Sequence, residues 1–319
     1  IDNGNFIDNI AASSGGVISN SSTNNANKIN GIFTANKAGS SGGAIFNQGN
    51  INSISGEFTS NHTTNSWATG KVVGGAIANK GGTINSIDAD FNSNYSDQYG
   101  GAIANFVENS VSSEITSVVG NFNNNYIVVN NSEAFGGAVY NNGKISTING
   151  NFIGNHIAQD NLDTVTAHGG AIYNTGTNGL LISGNFLDNY ISVNRGSSAL
   201  GGAIYTKMNT SVVADNSQNT LFKGNYVQIG NNKNDNAIYV DNVNAVLTLK
   251  ATNNGVISLY DNIDGTEGYD VLITGDNTGV IGLYNNINKA DVKAGKASIS
   301  LVEKITKNYT FNSLNTEAE

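Results

Sequence analysis

Side chains with the type and spacing to do chemistry are few in this chain. Its 319 residues include three His, no Cys and a single Arg, Arg195. Glycoside hydrolysis needs two carboxylates facing one groove, and a polysaccharide lyase needs calcium-binding acids beside a basic residue. The carboxylates spaced for either task are Asp88 and Asp90 in "SIDADF" and Asp160 and Asp163 in "QDNLDTV". The stretch "GTEGYDVLI" (265–273) partly matches a calcium-binding nonapeptide, but that motif works in tandem. One imperfect copy reads as a turn entering a strand. His62 and His156 occupy the place taken elsewhere by Tyr95, Tyr126, Tyr190 and Tyr226, directly after a recurring Asn, and read as stacking partners rather than bases. Zero Cys excludes disulfide scaffolds and thiolate zinc sites. The expectation is a chain with no catalytic residue, metal or cofactor, and a β-helical lyase or glycosidase is the alternative.

Residues suited to binding are more plentiful. Tyr140, Tyr173, Tyr205 and Tyr239 recur at one position of a repeated phrase, with Phe46 earlier in the same column, and strand alternation turns them outward as an aromatic stripe. The only Trp, Trp67, and the only Arg, Arg195, fall in variable segments, and both types are favoured at binding hot spots. A net charge of −9 argues against nucleic acid or anionic lipid as partner, since both demand a basic face.

The elements that position these residues follow from repetition. Gly-Gly-Ala-Ile-x-Asn or a close variant begins at Gly15, Gly42, Gly74, Gly100, Gly136, Gly169 and Gly201, in steps of 27, 32, 26, 36, 33 and 32. A Phe-x-x-Asn tetrad keeps the same beat, from Phe6–Asn9 to Phe222–Asn225. From Gly-Gly to the following Phe the length is nearly fixed, whereas insertions gather between the tetrad Asn and the next Gly-Gly, at 62–73, 126–135, 156–168 and 190–200. Stacking must project these from one edge, and openings such as "YIVVN" and "YISVN" suggest an extra strand in each. The 57 Asn and 39 Gly, the absence of Pro and the low charge content leave no extended helical stripe. Short alternating runs such as "KISTINGNF" make the repeat all-β. Strands pairing with their equivalents one turn on give a parallel β-helix of about ten or eleven coils, roughly 50 Å long at about 4.8 Å per coil. Like residues then stack in columns. Ile18 to Ile204 and Phe6 to Phe222 form two apolar columns inside, and alternation along "GGAIYN" sets Ile172 and Asn174 on one side, Ala171 and Tyr173 on the other. Asn47, Asn79, Asn105, Asn141 and Asn174 become a structural ladder of stacked amides ending at Thr206, placed where Asn tolerates left-handed backbone.

After about residue 240 the grammar changes. "LTLKATNNGVISLYDN" and "VLITGDNTGVIGLYNN" repeat with a 24-residue step from Tyr260 to Tyr284, and "ASISLVEKITKNYTFNSLN" (297–315) reads as another coil or a cap. Two segments result, 1–240 with the GGA[IV]/FxxN coils and 241–319 with C-terminal coils. The seven-fold pairing of GGA[IV] with Phe-x-x-Asn resembles the passenger of autotransporters of the polymorphic outer-membrane-protein type. That resemblance implies a right-handed β-helix displayed on a bacterial surface, carried out by a C-terminal barrel and acting in adhesion or self-association. The implied partners are a host-cell surface glycan or protein receptor, or another passenger, and a purely structural stalk is a further alternative. The chain departs from the full pattern: it starts mid-repeat at "IDNGNF" and shows no signal peptide, transmembrane segment or barrel strands, so the expectation is an excised passenger piece.

Overall fold

The computed structural model of the chain describes residues 1–64, 71–107, 110–129, 132–159, 164–176 and 179–294. Among them there is no helix, and the strands coil into a parallel β-helix. Three sheets form its faces: a long face of 17 strands reaching Ala294 and two narrower faces of 9 strands each, ending at Asp235 and Gly265. Long-face strands pair in eleven successive rungs, from Gly4–Ile7 through Asn50–Thr59 and Thr83–Asn92 to Ala290–Ala294. Repeats align without slippage: Phe58 faces Phe91, Ile77 faces Ile103, and Asn141 faces Asn174. The sheet runs on across residue 240, where Thr210–Ala214 pairs with Val246–Ala251, and the 24-residue step appears as Val256 opposite Val280. Residues 297–315, read above as a coil or cap, lie outside the described residues.

Packing explains the repeated phrases. Inside the coil, eight Phe rings from Phe6 to Phe222 stack at centroid distances of 4.5 to 5.1 Å, and the Ile column lies buried beside them. The two glycines have separate tasks. The first holds a left-handed φ, for example +63° at Gly100. The second lets coils meet, because a Cβ on Gly101 would lie 2.1 Å from the carbonyl oxygen of Gly137 in the next coil.

One expectation of strand parity fails at this corner. Ala171 is buried in the lumen beside Ile172 rather than pointing outward with Tyr173. The carbonyl of Ala203 in the next coil accepts both the Ala171 and the Ile172 N–H, at 2.9 and 2.8 Å. The chain bends there, and alternation begins only with the strand Ile172–Asn174.

Candidate functional site

The ladder residues are fully engaged. Asn20, Asn47, Asn79, Asn105 and Asn141 each donate from Nδ2 to Oδ1 of the amide one coil on, at 2.7 to 2.9 Å, and Asn174 donates to Thr206 Oγ1 at 3.2 Å. A second, longer ladder consists of the tetrad Asn residues. Each Asn from Asn9 to Asn189 sends both its backbone N–H and its Nδ2 to the next Oδ1, and Asn36 and its successors also donate to a Phe carbonyl. Asn225 ends the series on a carboxylate, with its N–H and Nδ2 both donating to Asp261 Oδ2. Burial pushes the Asp261 carboxyl above its ordinary value against these hydrogen bonds. The signal for this ladder is the tetrad period itself; in "LYDN" the Asn place is held by Asn262, and the preceding Asp261 takes the hydrogen bonds instead. Left-handed backbone falls one residue before the ladder, at Asp8, Ala35, Ser60, Ser93, Asn124, Gly154, Asp188 and Gly224, and not on the ladder Asn. The amides stay for their hydrogen bonds.

The tyrosine stripe forms but is not an exposed surface. Tyr140, Tyr173 and Tyr205 stack at 5.2 and 5.1 Å, with Tyr239 a further 6.1 Å along. Tyr140 is 6% and Tyr205 0% exposed, while Tyr173 and Tyr239 are half-buried. They point away from the lumen as alternation requires, but the residues preceding Gly-Gly lie over them: Tyr99 stacks on Tyr140, Phe135 on Tyr173 and His168 on Tyr205, at 4.9, 4.6 and 4.3 Å. Ring faces used in this way cannot serve as a sugar platform. The hydroxyls are also engaged, with Tyr99 donating to Glu133 Oε2 at 2.7 Å and Tyr205 to Asp241 Oδ2 at 2.5 Å.

Phe135 and His168 belong to insertions, three of which fold into a fin, while Tyr99 ends a five-residue connection. Each insertion leaves along Tyr126–Val128, His156–Ala158 or Tyr190–Val193 and returns along Glu133–Phe135, Thr166–His168 or Ser198–Leu200. The return strands form a three-stranded parallel sheet. Ala134, Ala167 and Ala199 face Ile127, Ile157 and Ile191 in an apolar core separate from the lumen. Arg195 sits exposed at the fin's turn, with its stem close over Gly230. Trp67 lies outside the described residues. The outward ring column beside the fin, His62, Tyr95, Tyr126, His156, Tyr190 and Tyr226, stacks at 4.7 to 5.3 Å, so both histidines are stacking partners.

Of the carboxylates of the enzyme alternative, Asp88 and Asp90 fall among the described residues, both on the outward side of the strand Thr83–Asn92. Asp90 Oδ1 accepts the Asn121 N–H and Nδ2, both at 2.9 Å, and anchors a short amide ladder on the long face. Asp88 is exposed on the same strand, and Asp160 and Asp163 lie outside the described residues. Asp270 of the nonapeptide-like stretch lies in the strand Tyr269–Gly275 and pairs with Lys293 at 2.7 Å. Among the described residues no three His, Asp or Glu side chains gather as a metal-ligating group. Compared with protein-family models, with curated proteins and with solved structures, the chain matches none of them.

Proposed function

We propose that the chain is a displayed segment of a bacterial autotransporter passenger, acting as a non-enzymatic adhesin or self-association module through its fin. What supports this reading above all is that three successive insertions share a sheet and an apolar core. A stalk would need only smooth coils, and the shorter coils of this chain connect with five residues, as in "KAGSS" (37–41). A second core that holds loop tips outward is the arrangement by which rigid scaffolds carry recognition. On this reading the partner is a host-cell surface receptor or a second passenger, and the molecule works outside the cell.

The test uses beads coated with the protein, scored for attachment to epithelial cells and for clumping with each other. Replacing 126–135, 156–168 and 190–200 with "KAGSS" should abolish attachment or clumping while the β-type circular dichroism persists. Attachment and clumping at full strength in that folded variant would reject the fin as the active surface.

A further inference from the structure

We infer that the C-terminal part of the long face carries a separate groove for an acidic oligosaccharide. It goes beyond the fin reading, because the groove lies on a face the fin does not touch. The long strand is interrupted by a turn in each of three successive coils, at 215–219, 252–255 and 276–279. These turns stack into one ridge: Val256 N–H donates to Asn219 Oδ1 at 2.8 Å, Asn253 N–H to Asp276 Oδ2 at 2.7 Å, and Asn254 N–H to Thr278 Oγ1 at 2.9 Å. Lys223, Tyr260 and Tyr284 make the opposite wall, and both Tyr are 41% exposed. Between the walls the register lines up Asn185, Leu221, Ser258 and Gly282 as the floor. Three coil steps of about 4.8 Å make this floor about 14 Å long, enough for a short oligosaccharide.

The chemistry of the floor and walls selects the ligand. The ladder anchored at Asp90 runs through Asn121, Asn151 and Asn185, with Asn151 and Asn185 each donating to the preceding Oδ1 at 2.8 Å. At the next rung stands Leu221, so among the described residues no donor reaches Asn185 Oδ1. A ligand hydroxyl placed there takes the missing rung. Ser258 offers a second hydroxyl contact, and Leu221 an apolar surface for sugar C–H groups. The Tyr260–Tyr284 stack, at 4.2 Å, is short, and its outer face at Tyr260 is turned toward Lys223, whose Nζ lies 5.4 Å from the ring centre. Lys223 makes no ion pair among the described residues; the ridge carboxylates Asp215 and Asp276 are taken up by hydrogen bonds within their own turns and from Asn253, so the Lys223 ammonium fits one ligand carboxylate. Sialic and uronic acids combine that carboxylate with hydroxyls and a C–H face.

The experiment is saturation-transfer NMR and calorimetric titration of the protein with 3′-sialyllactose, with lactose as the neutral control. Saturable binding of 3′-sialyllactose is expected, weakened about tenfold or more by Lys223→Gln and by Tyr260→Ala and unchanged by Lys250→Gln on the same face. Thermal melts establish that each variant is folded, and Lys223→Gln alone decides if Tyr260→Ala is not. Absence of transfer to 3′-sialyllactose, or equal binding by wild type and Lys223→Gln, overturns the groove assignment. Equal affinity for lactose overturns the acidic specificity. Because this titration needs no cells, the bead assay can fail while sugar binding persists, and the reverse result sinks the groove alone.

Discussion

At the scale of single residues, the residue before each tetrad Asn varies among Asp, Ala, Ser, Asn and Gly but always takes left-handed backbone. Ala35 holds φ +55° where the same tetrad position in other coils is Gly154 or Gly224. Left-handed backbone costs an L-residue about 1–2 kcal/mol, and Gly returns about 0.5–1 of that as lost chain entropy. Ala35→Gly should therefore raise stability by about 0.5–1 kcal/mol in chemical denaturation, and a lower midpoint would show that the Ala methyl matters more than its dihedral. The ladder makes the opposite prediction. Asn141→Ala and Asn174→Ala each remove a buried rung and strand the neighbouring amide, so each should cost about 1–3 kcal/mol. Midpoints unchanged in both would mean that the stacked amides add nothing to stability.

At the scale of elements, the lumen and the fin are two cores with different demands. Lumen packing rests on the Phe and Ile columns and includes none of the fin's Ile127, Ile157 or Ile191. A chain with the three fin insertions cut to five residues should fold into the same β-helix, with a lower melting temperature. It should also bind more of a hydrophobic dye, because Tyr173 and Tyr205 lose their cover of Phe135 and His168. Loss of cooperative unfolding would mean that the fin is needed for the helix to form. The sequence made much of this legible: the period places the Phe, Ile and Asn columns, and "YIVV" and "YISV" announce the outgoing strands. Ala171 and the tyrosines show where legibility stops. Parity states on which side of a strand a residue lies, but a bend where one carbonyl takes two N–H groups resets it. Parity also says nothing about what lies above the outward side. The return strands "EAF", "TAH" and "SAL" are too short and too mixed to show a period, so the cover over the tyrosines left no trace in the sequence.

At the scale of the whole molecule, burial of all three histidines in ring stacks sets a pH limit on the fold. Burial is the leading cause in each case, and it holds His62 and His156 below their ordinary value and His168 down to about 4. His168 Nε2 is buried without a hydrogen-bond partner, stacked on Tyr205, with Asp241 favouring its charged form and Lys207 opposing it. A histidine whose folded pKa lies below its unfolded one contributes stability that is complete above the unfolded value near 6.5 and is lost as pH falls toward the folded value. For His168 the window therefore runs from about 6.5 to about 4, with up to about 3 kcal/mol at stake. Asp241 acts in the same direction at lower pH: burial raises it, but hydrogen bonds from Tyr205, Lys207 and Thr266 outweigh burial and hold it below the ordinary carboxylate value. Asp261, raised by burial, acts in the opposite direction, because the folded state then binds its proton first. Titration of the three histidines begins near the unfolded value of about 6.5, so the melting temperature should be flat from pH 8 to about 6.5 and then fall. His168→Phe keeps the ring stack and removes the titration. Its melting temperature at pH 7.5 should match or exceed that of the wild type, and its decline between pH 6.5 and 4 should be shallower. Parallel curves for the two proteins over that interval would show that His168 is not a source of the acid sensitivity.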